Sequence, residues 1–383
     1  MKILLIGEFS RLHNSLKEGL SLLGHDVTLI GSGDLFKKYP VDINIAPVFF
    51  RKKVPVFFRK LIHKITGFDI ADVETYLKVK SRFTDLQDYD VVQLINEDAF
   101  TMHPKMQISI LKRVINQNKK LYLLCCGDDY ITINHYLKEE LKYSILTPYL
   151  KNRTLKKQFS YSLKYTTKSY KKLHEFIKKH SQGTIATDID YHLPMLNHKQ
   201  YLGLIPNPIN TNKLSYTPLS IDGKIIIFHG INNMNYIKKG NAFFEEALNF
   251  IQKKYANSVE IITTRSLPYS EYIKTYNKAH IILDQVYAYD QGYNALEAMA
   301  KGKVVFTGAE KEWLDYYHLK EDSVAINAFP DATEIAKKLE WLILNPEKIL
   351  EISKNARAFI EKEHGYITIA KKYLDIWQDN INN

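Results

Sequence analysis

Residues 292–308 read GYNALEAMAKGKVVFTG: a glycine, a run of good helix formers, then a β-branched stretch beyond Gly302. Glycine lets backbone approach a ligand closely. The helix it opens aims unpaired N–H groups outward, where they and the helix dipole favour an anion. Glu297 falls about one turn in. Gly292 and Glu297 together suit a diphosphate at a helix N-terminus, with a carboxylate bonding ribose hydroxyls. Lys239 before Gly240, and Arg265 just after the apolar run 259–263, are cations of the kind that stabilise charge on a leaving phosphate. Gly7, Gly230, Asp284 with Gln285, and Asp128 with Asp129 each follow a short apolar run. The ordinary alternatives are a solvated helix carboxylate, a surface lysine and turn-forming aspartates.

The elements that must position these groups alternate regularly. In the first half, strands are expected at 2–6, 27–30, 91–95 and 121–126, with a helix from about Leu12 to Leu23 capped by Gly24. In the second half, strands at 225–228, 259–263, 281–283 and 304–306 alternate with helices at 241–255, 269–279 and 292–300. Three further helices lie near 331–344, 347–363 and 367–379. Continuous apolar strands separated by helices imply parallel sheets covered on both faces. A chain of 383 residues is too long for one core. The expectation is an α/β chain with two doubly wound, Rossmann-like domains, joined at LIPNPINTN (204–212), where Pro206 and Pro208 forbid helix. Ligands of such sheets bind beyond the carboxyl ends of the strands, here in the cleft between the domains.

LEAMAKG at 296–302 resembles the GT-B glycosyltransferases, specifically the retaining family-4-like group (glycosyl transferases group 1). LLGHDVTLI at 22–30, IPNPINTNKL at 205–214, the Lys-Lys-Gly at 238–240 and the tail EKEHGYITIAKKYLDIW at 361–377 extend the similarity over most of residues 1–30 and 200–380. The resemblance implies a GT-B fold: an acceptor domain at 1–204, a nucleotide-sugar domain at 205–365, and a last helix, 366–383, returning to the first domain. It implies that Glu297 holds the donor ribose and Lys239 the diphosphate. Gly292, Tyr293 and Asn294 would reach the sugar and phosphate, and Gly7 would approach from the opposite domain. The chain also departs from the pattern. Tyr289 stands where the family's first motif glutamate falls, with Asp290 one residue off. His229-Gly230 replaces a Gly-Arg pair, and Cys126 replaces a histidine ahead of Gly127 and Asp129.

The activity so implied is transfer of a sugar from a UDP- or GDP-sugar donor to a glycan or lipid-linked acceptor, with retention, in surface polysaccharide or glycan assembly. Lys239, Arg265 and Asp129 are the candidate catalytic groups. Glu297, Gly292, Tyr293, Asn294, Gly230, Asp290, Gln285 and Gly7 are the donor contacts. No cofactor or metal is expected. Asp188-Ile-Asp190 spells a D-x-D by chance, and the 13 histidines lack ligand spacing. The alternatives are a GT-B nucleotide-sugar epimerase, which needs an acid–base pair not obvious here, and a non-catalytic basic module for membrane or nucleic acid.

The charge is uneven. Residues 1–200 hold 32 Lys and Arg against 20 Asp and Glu, while the remainder hold 21 against 22. A first half so basic should meet something anionic, and with no nucleic-acid motif an anionic membrane surface is expected. PVFFRK occurs at 47–52 and again at 55–60. From Val54 the apolar residues fall at helical spacing, which predicts an amphipathic helix beginning near Pro55. Phe49, Phe50, Arg51, Lys52, Phe57, Phe58, Arg59 and Lys60 would face the membrane, unless the stripe is ordinary core. Residues 151–179 form a second basic stretch. The adjacent Cys125 and Cys126 allow no disulfide framework. No run reaches the ~20 apolar residues of a bilayer span. The start reads as a buried strand. A cytoplasmic protein held at the inner membrane face is the expectation.

Overall fold

The computed structural model describes residues 1–34, 38–267 and 269–379. The opening run KILLI forms β1 (Lys2–Ile6), whose four apolar residues are sealed from solvent, as a central parallel strand requires. Around it lie β2 (Asp26–Gly31), β3 (Ile43–Asn44), β4 (Val91–Leu94), β5 (Lys120–Cys125), β6 (Ser181–Ala186) and β7 (Tyr201–Leu204). Among the described residues they make one parallel sheet in the order β3-β2-β1-β4-β5-β6-β7. The order reverses between β1 and β4, so a crevice opens beyond Ile6 and Leu94.

The second sheet contains β8 (Ile225–Ile231), β9 (Val259–Arg265), β10 (Ile281–Leu283), β11 (Val304–Thr307) and β12 (Ile326–Asn327), in the order β12-β11-β10-β8-β9. Here the reversal lies between β8 and β10. Their registers set Leu283 beside His229, so the crevice of this sheet opens at Gly230 and Asp284. Helix Tyr293–Ala300 starts there, after β10.

Each sheet has its own core. The last helix, Tyr366–Asp379, belongs to the first: Ile369, Ala370, Tyr373, Leu374 and Trp377 are buried with β1 and helix Leu12–Leu22. Gly19 makes this crossing possible. A Cβ there would lie 2.5 Å from the carbonyl oxygen of Tyr366 and 2.9 Å from Ala370 Cβ, closer than packed atoms allow. Strands β3, β6, β7 and β12 are additions to the sequence reading. β3 and β12 are two residues long, and β6 (SQGTIA) is half polar and irregularly paired with both neighbours.

The amphipathic helix forms at Lys53–Thr66 and buries none of its residues. Val54, Phe57, Phe58, Leu61 and Ile65 are all exposed, as are Val48 and Phe49 ahead of it, while Phe50 is half-buried. The stripe is not core. Arg51, Lys52 and Lys60 are exposed; Arg59 instead forms a two-pronged pair with Asp69, at 2.7 and 2.6 Å. Among the described residues no helix is long and apolar enough to cross a membrane.

Candidate functional site in the interdomain cleft

A cavity of about 300 Å³ lies between the domains. Its walls include Asn96, Gly127, Asp128, Tyr161 and Tyr165 of the first domain, and Asn207, Gly292 and Tyr293 from the other side. Gly292 precedes the helix with extended backbone (φ −70°, ψ 163°), and no side chain caps the helix among the described residues. Ala295 N and Leu296 N donate back to the carbonyl oxygen of Gly292 at 2.9 and 3.1 Å, and the positive end of the helix dipole at this terminus favours an anion. Tyr293 turns its ring into the interface. Its hydroxyl donates to the carbonyl oxygen of Pro208 at 2.7 Å and lies 2.8 Å from Ser15 Oγ. This tyrosine joins the helix of the second domain to helix Leu12–Leu22 of the first.

Behind the glycine sits a compact polar group. Lys239 Nζ donates to Asp284 Oδ1 at 2.8 Å, and Asn294 Nδ2 donates to the same oxygen at 3.0 Å. Asp284 Oδ2 is buried with no hydrogen-bond partner among the described residues, and a Cβ on Gly292 would come within 3.9 Å of it. A buried carboxylate oxygen left open is costly, and a donor hydroxyl in the crevice would satisfy it. Gln285 beside it donates to the carbonyl oxygen of Asp290 at 3.4 Å.

The two lysines of 238–240 divide between the domains. Lys238 Nζ crosses the cleft to Asp128 Oδ2 at 2.9 Å and to Ser162 Oγ at 3.2 Å; Ser162 Oγ also donates to that carboxylate. Sequence reasoning singled out Lys239 and missed Lys238 and Ser162. The only available signal was the doubled lysine, and nothing in the spacing shows which member reaches across.

The other candidates take varied places. Gly7 follows β1 at φ +89°, where a Cβ would meet Ile95 Cγ2 at 2.4 Å, so only glycine turns the chain there. Next to it Glu8, passed over in the sequence, is buried and accepts from Asn14 N and Nδ2 at 2.8 and 2.6 Å. Burial pushes its carboxyl up to about 8, against the bonds from Asn14. Asp129 caps helix Tyr130–Tyr136 by accepting from Thr132 N at 2.7 Å. Burial, then the charge of Glu97, raises its carboxyl to about 6. It is Asp128, not Asp129, that lines the cavity. Gly230 lies within β8, whose buried His229 holds Asn241 at 2.9 Å. Arg265 ends β9, pairs with Glu245 and stands over the ring of Tyr236. Glu297 is half-buried in the helix that Gly292 opens.

Asp290 faces the domain interface. Its carboxylate accepts from Ile189 N at 2.9 Å and Gln291 N at 2.6 Å. Asp190 in turn accepts from Tyr289 N and Asp290 N at 3.1 and 3.0 Å. Burial raises both carboxyls to about 7. Asp188 caps helix Ile189–Met195. Tyr289 is buried, and its hydroxyl accepts from Lys142 N at 2.9 Å. Where the family pattern has its first glutamate, this chain thus has an interdomain seam. Among the described residues no three His, Cys, Asp or Glu side chains are grouped to hold a metal ion.

Residues 241–375 match the sequence model of the glycosyl transferase-like family. No curated protein matches the sequence. Sucrose-phosphate synthase of Thermosynechococcus elongatus has a similar structure, at 13% identity and a TM-score of 0.63 over 100% of both chains. HepE of Anabaena, solved with UDP and glucose, gives 13% and 0.58 over 99% of this chain and 100% of its own. TarM of S. aureus, solved as a variant with UDP, fondaparinux and α-GlcNAc-glycerol, gives 11% and 0.59 over 98% and 99%. Residues 241–375 are thus similar to the glycosyl transferase-like family, and the whole chain has the fold of the GT-B glycosyltransferases.

Proposed function

We propose that the protein transfers a sugar, with retention, from a UDP- or GDP-sugar to a glycan or lipid-linked acceptor at an anionic membrane surface, in the assembly of a surface glycan. The observation that carries the reading is the uncapped helix at Gly292, opening into an interdomain cavity beside Lys239. The UDP and UDP-glucose complexes of HepE support a nucleotide-sugar donor.

Transfer with retention asks little of side-chain chemistry. The acceptor oxygen attacks the anomeric carbon from the leaving-group side, the bond to the diphosphate breaks, and a departing phosphate oxygen takes the acceptor proton. The protein's part is to align the reactants and to stabilise charge growing on the diphosphate. The positive end of the helix dipole at Gly292 and Lys239 are the stabilising set, with Asp284 keeping the ammonium in place. Glu297 grips the ribose. Arg265, fixed by Glu245, supports the charge from the end of β9. Asp128 and Lys238 hold the acceptor side closed over the donor.

The exposed stripe of helix Lys53–Thr66, with basic residues on either side, supports a peripheral membrane attachment. An apolar face in the headgroup region together with lysines near anionic lipid is sufficient for reversible binding. A thermal-shift screen of nucleotide-sugars, followed by nucleotide release with lipid-linked and glycan acceptors, tests the activity. A donor should raise the melting temperature by mass action and be consumed only with acceptor present. Consumption that yields an isomerised nucleotide-sugar without acceptor would replace transfer with epimerisation.

A further inference from the structure

A second cavity, of about 490 Å³, lies at the opposite end of the second sheet from Asp284. His280 and Lys303, the residues just before β10 and β11, line it together with Lys278 and Lys301. It opens at the amino ends of these strands, so a ligand there does not compete with one in the interdomain cleft.

Its chemistry is one-sided. Among the described residues no carboxylate forms an ion pair with Lys278 or Lys303, while Lys301 feels the charge of Glu297, one helical turn before it. Lys303 is only 5% exposed, yet its ammonium is met by a neutral group, the carbonyl oxygen of Asn277, at 2.8 Å. Lys301 Nζ donates to Oδ1 of the same Asn277, also at 2.8 Å. Two ammonium groups thus converge on one asparagine and repel each other. Burial, then the Lys301 charge, lowers Lys303 to about 8. His280 is fixed: its Nδ1 accepts from Ile226 N at 2.9 Å, so Nε2 carries the proton and donates to the carbonyl oxygen of Ser220. The hydroxyls of Ser215 and Thr217 complete the walls. Cations and donors predominate, which calls for a ligand rich in acceptors and multiply negative.

We propose that this pocket is a second anion site, separate from the donor cleft, which binds a compound bearing two or more phosphoryl charges between Lys278, Lys301 and Lys303. An oxyanion there would separate the two ammonium charges and supply Lys303 with the counter-charge that the protein does not.

The test is calorimetric titration of the full chain with sodium pyrophosphate, at ionic strength held constant with sodium chloride. It is performed on Lys239→Ala protein so that the cleft does not contribute. Binding should persist in that protein and weaken by roughly tenfold or more on adding Lys301→Met and Lys303→Met. Lys278→Ala, at an exposed position where folding is not at risk, should weaken it severalfold. A second arm uses vesicles containing phosphatidic acid. If free pyrophosphate does not bind but the vesicles lose affinity on the Lys301 and Lys303 substitutions, the same site takes its phosphate from a lipid. Binding unchanged by these three substitutions in both arms, or absent from both, would overturn the proposal. If the donor reading is wrong, Lys239→Ala has no effect on pyrophosphate binding, and the comparison at this pocket is unaltered.

Discussion

Lys238 Nζ stands 2.9 Å from Asp128 Oδ2 across the cleft, while Lys239 Nζ, one residue on, stands 2.8 Å from Asp284 Oδ1 within its own domain. Adjacent residues thus serve different ends of the site. Lys239→Ala removes a charge contact to the diphosphate and should lower kcat/KM by ~10²–10³, or roughly 2–4 kcal/mol of barrier; because it leaves the buried Asp284 without its cation, it should also cost roughly 1–3 kcal/mol of stability. Lys238→Ala leaves the buried Asp128 without its cation and should cost roughly 1–3 kcal/mol of stability. Adding Asp128→Asn should cost less than the sum of the two single changes. Steady-state kinetics and chemical denaturation of the parent, the three single variants and the double variant check both statements.

Glu8 gives a pH signature. Its folded carboxyl titrates near 8 and its ordinary value is 4.5. Between these values the unfolded chain releases a proton that the folded chain keeps, so this group lowers stability progressively as pH rises from 4.5 to 8 and by a constant amount above. Glu8→Gln keeps the shape and removes the titration. The stability of the variant relative to the parent should therefore climb with pH by up to ~1.4 kcal/mol per unit in that window. Urea denaturation at pH 5, 6.5 and 8 measures it; a difference that does not change with pH would contradict the assignment.

Gly19→Ala should be far more damaging than a helix alanine usually is. In an isolated helix the change is favourable, but here the new methyl meets the carbonyl of Tyr366. Overpacking of this kind costs roughly 1–3 kcal/mol, read as a lower melting temperature. Gly24→Ala, in open space but at φ +83°, separates backbone strain from the packing clash.

How far the sequence reveals this architecture depends on how local each signal is. The apolar runs of β1, β8, β10 and β11, the helix Asn241–Tyr255 and the glycine-led helix at 293–300 are set by neighbours in sequence and are legible from it. Strand β6 is not, because SQGTIA acquires its partners only once β5 and β7 lie beside it. The same holds at the site. Gly292, on the cavity wall, is legible as the glycine that opens a helix. The crossing of Lys238 to Asp128, the turning of Asp290 into the seam with Asp190, and the burial of Glu8 behind Asn14 are long-range facts that no periodicity carries. The 53–66 stripe shows the converse: its amphipathic pattern was plain, but whether it faces core or solvent only packing decides.

Phe57→Ser with Phe58→Ser should leave stability nearly untouched, since both rings are exposed. It should nonetheless reduce sedimentation with anionic liposomes. Each ring is worth roughly 1.5–3 kcal/mol when buried in lipid, so loss of two should abolish measurable attachment, while added salt weakens the parent through its lysines. Equal sedimentation of parent and variant would remove the membrane proposal.

The most direct measurement is a crystal structure with an unreactive nucleotide diphosphate-sugar bound. The expected result has the pyrophosphate at the N-terminus of helix Tyr293–Ala300, within hydrogen-bond reach of Lys239 Nζ, and the ribose hydroxyls on Glu297. A nucleotide seated elsewhere, or a Glu297 carboxylate that makes no contact with the ribose, would contradict it.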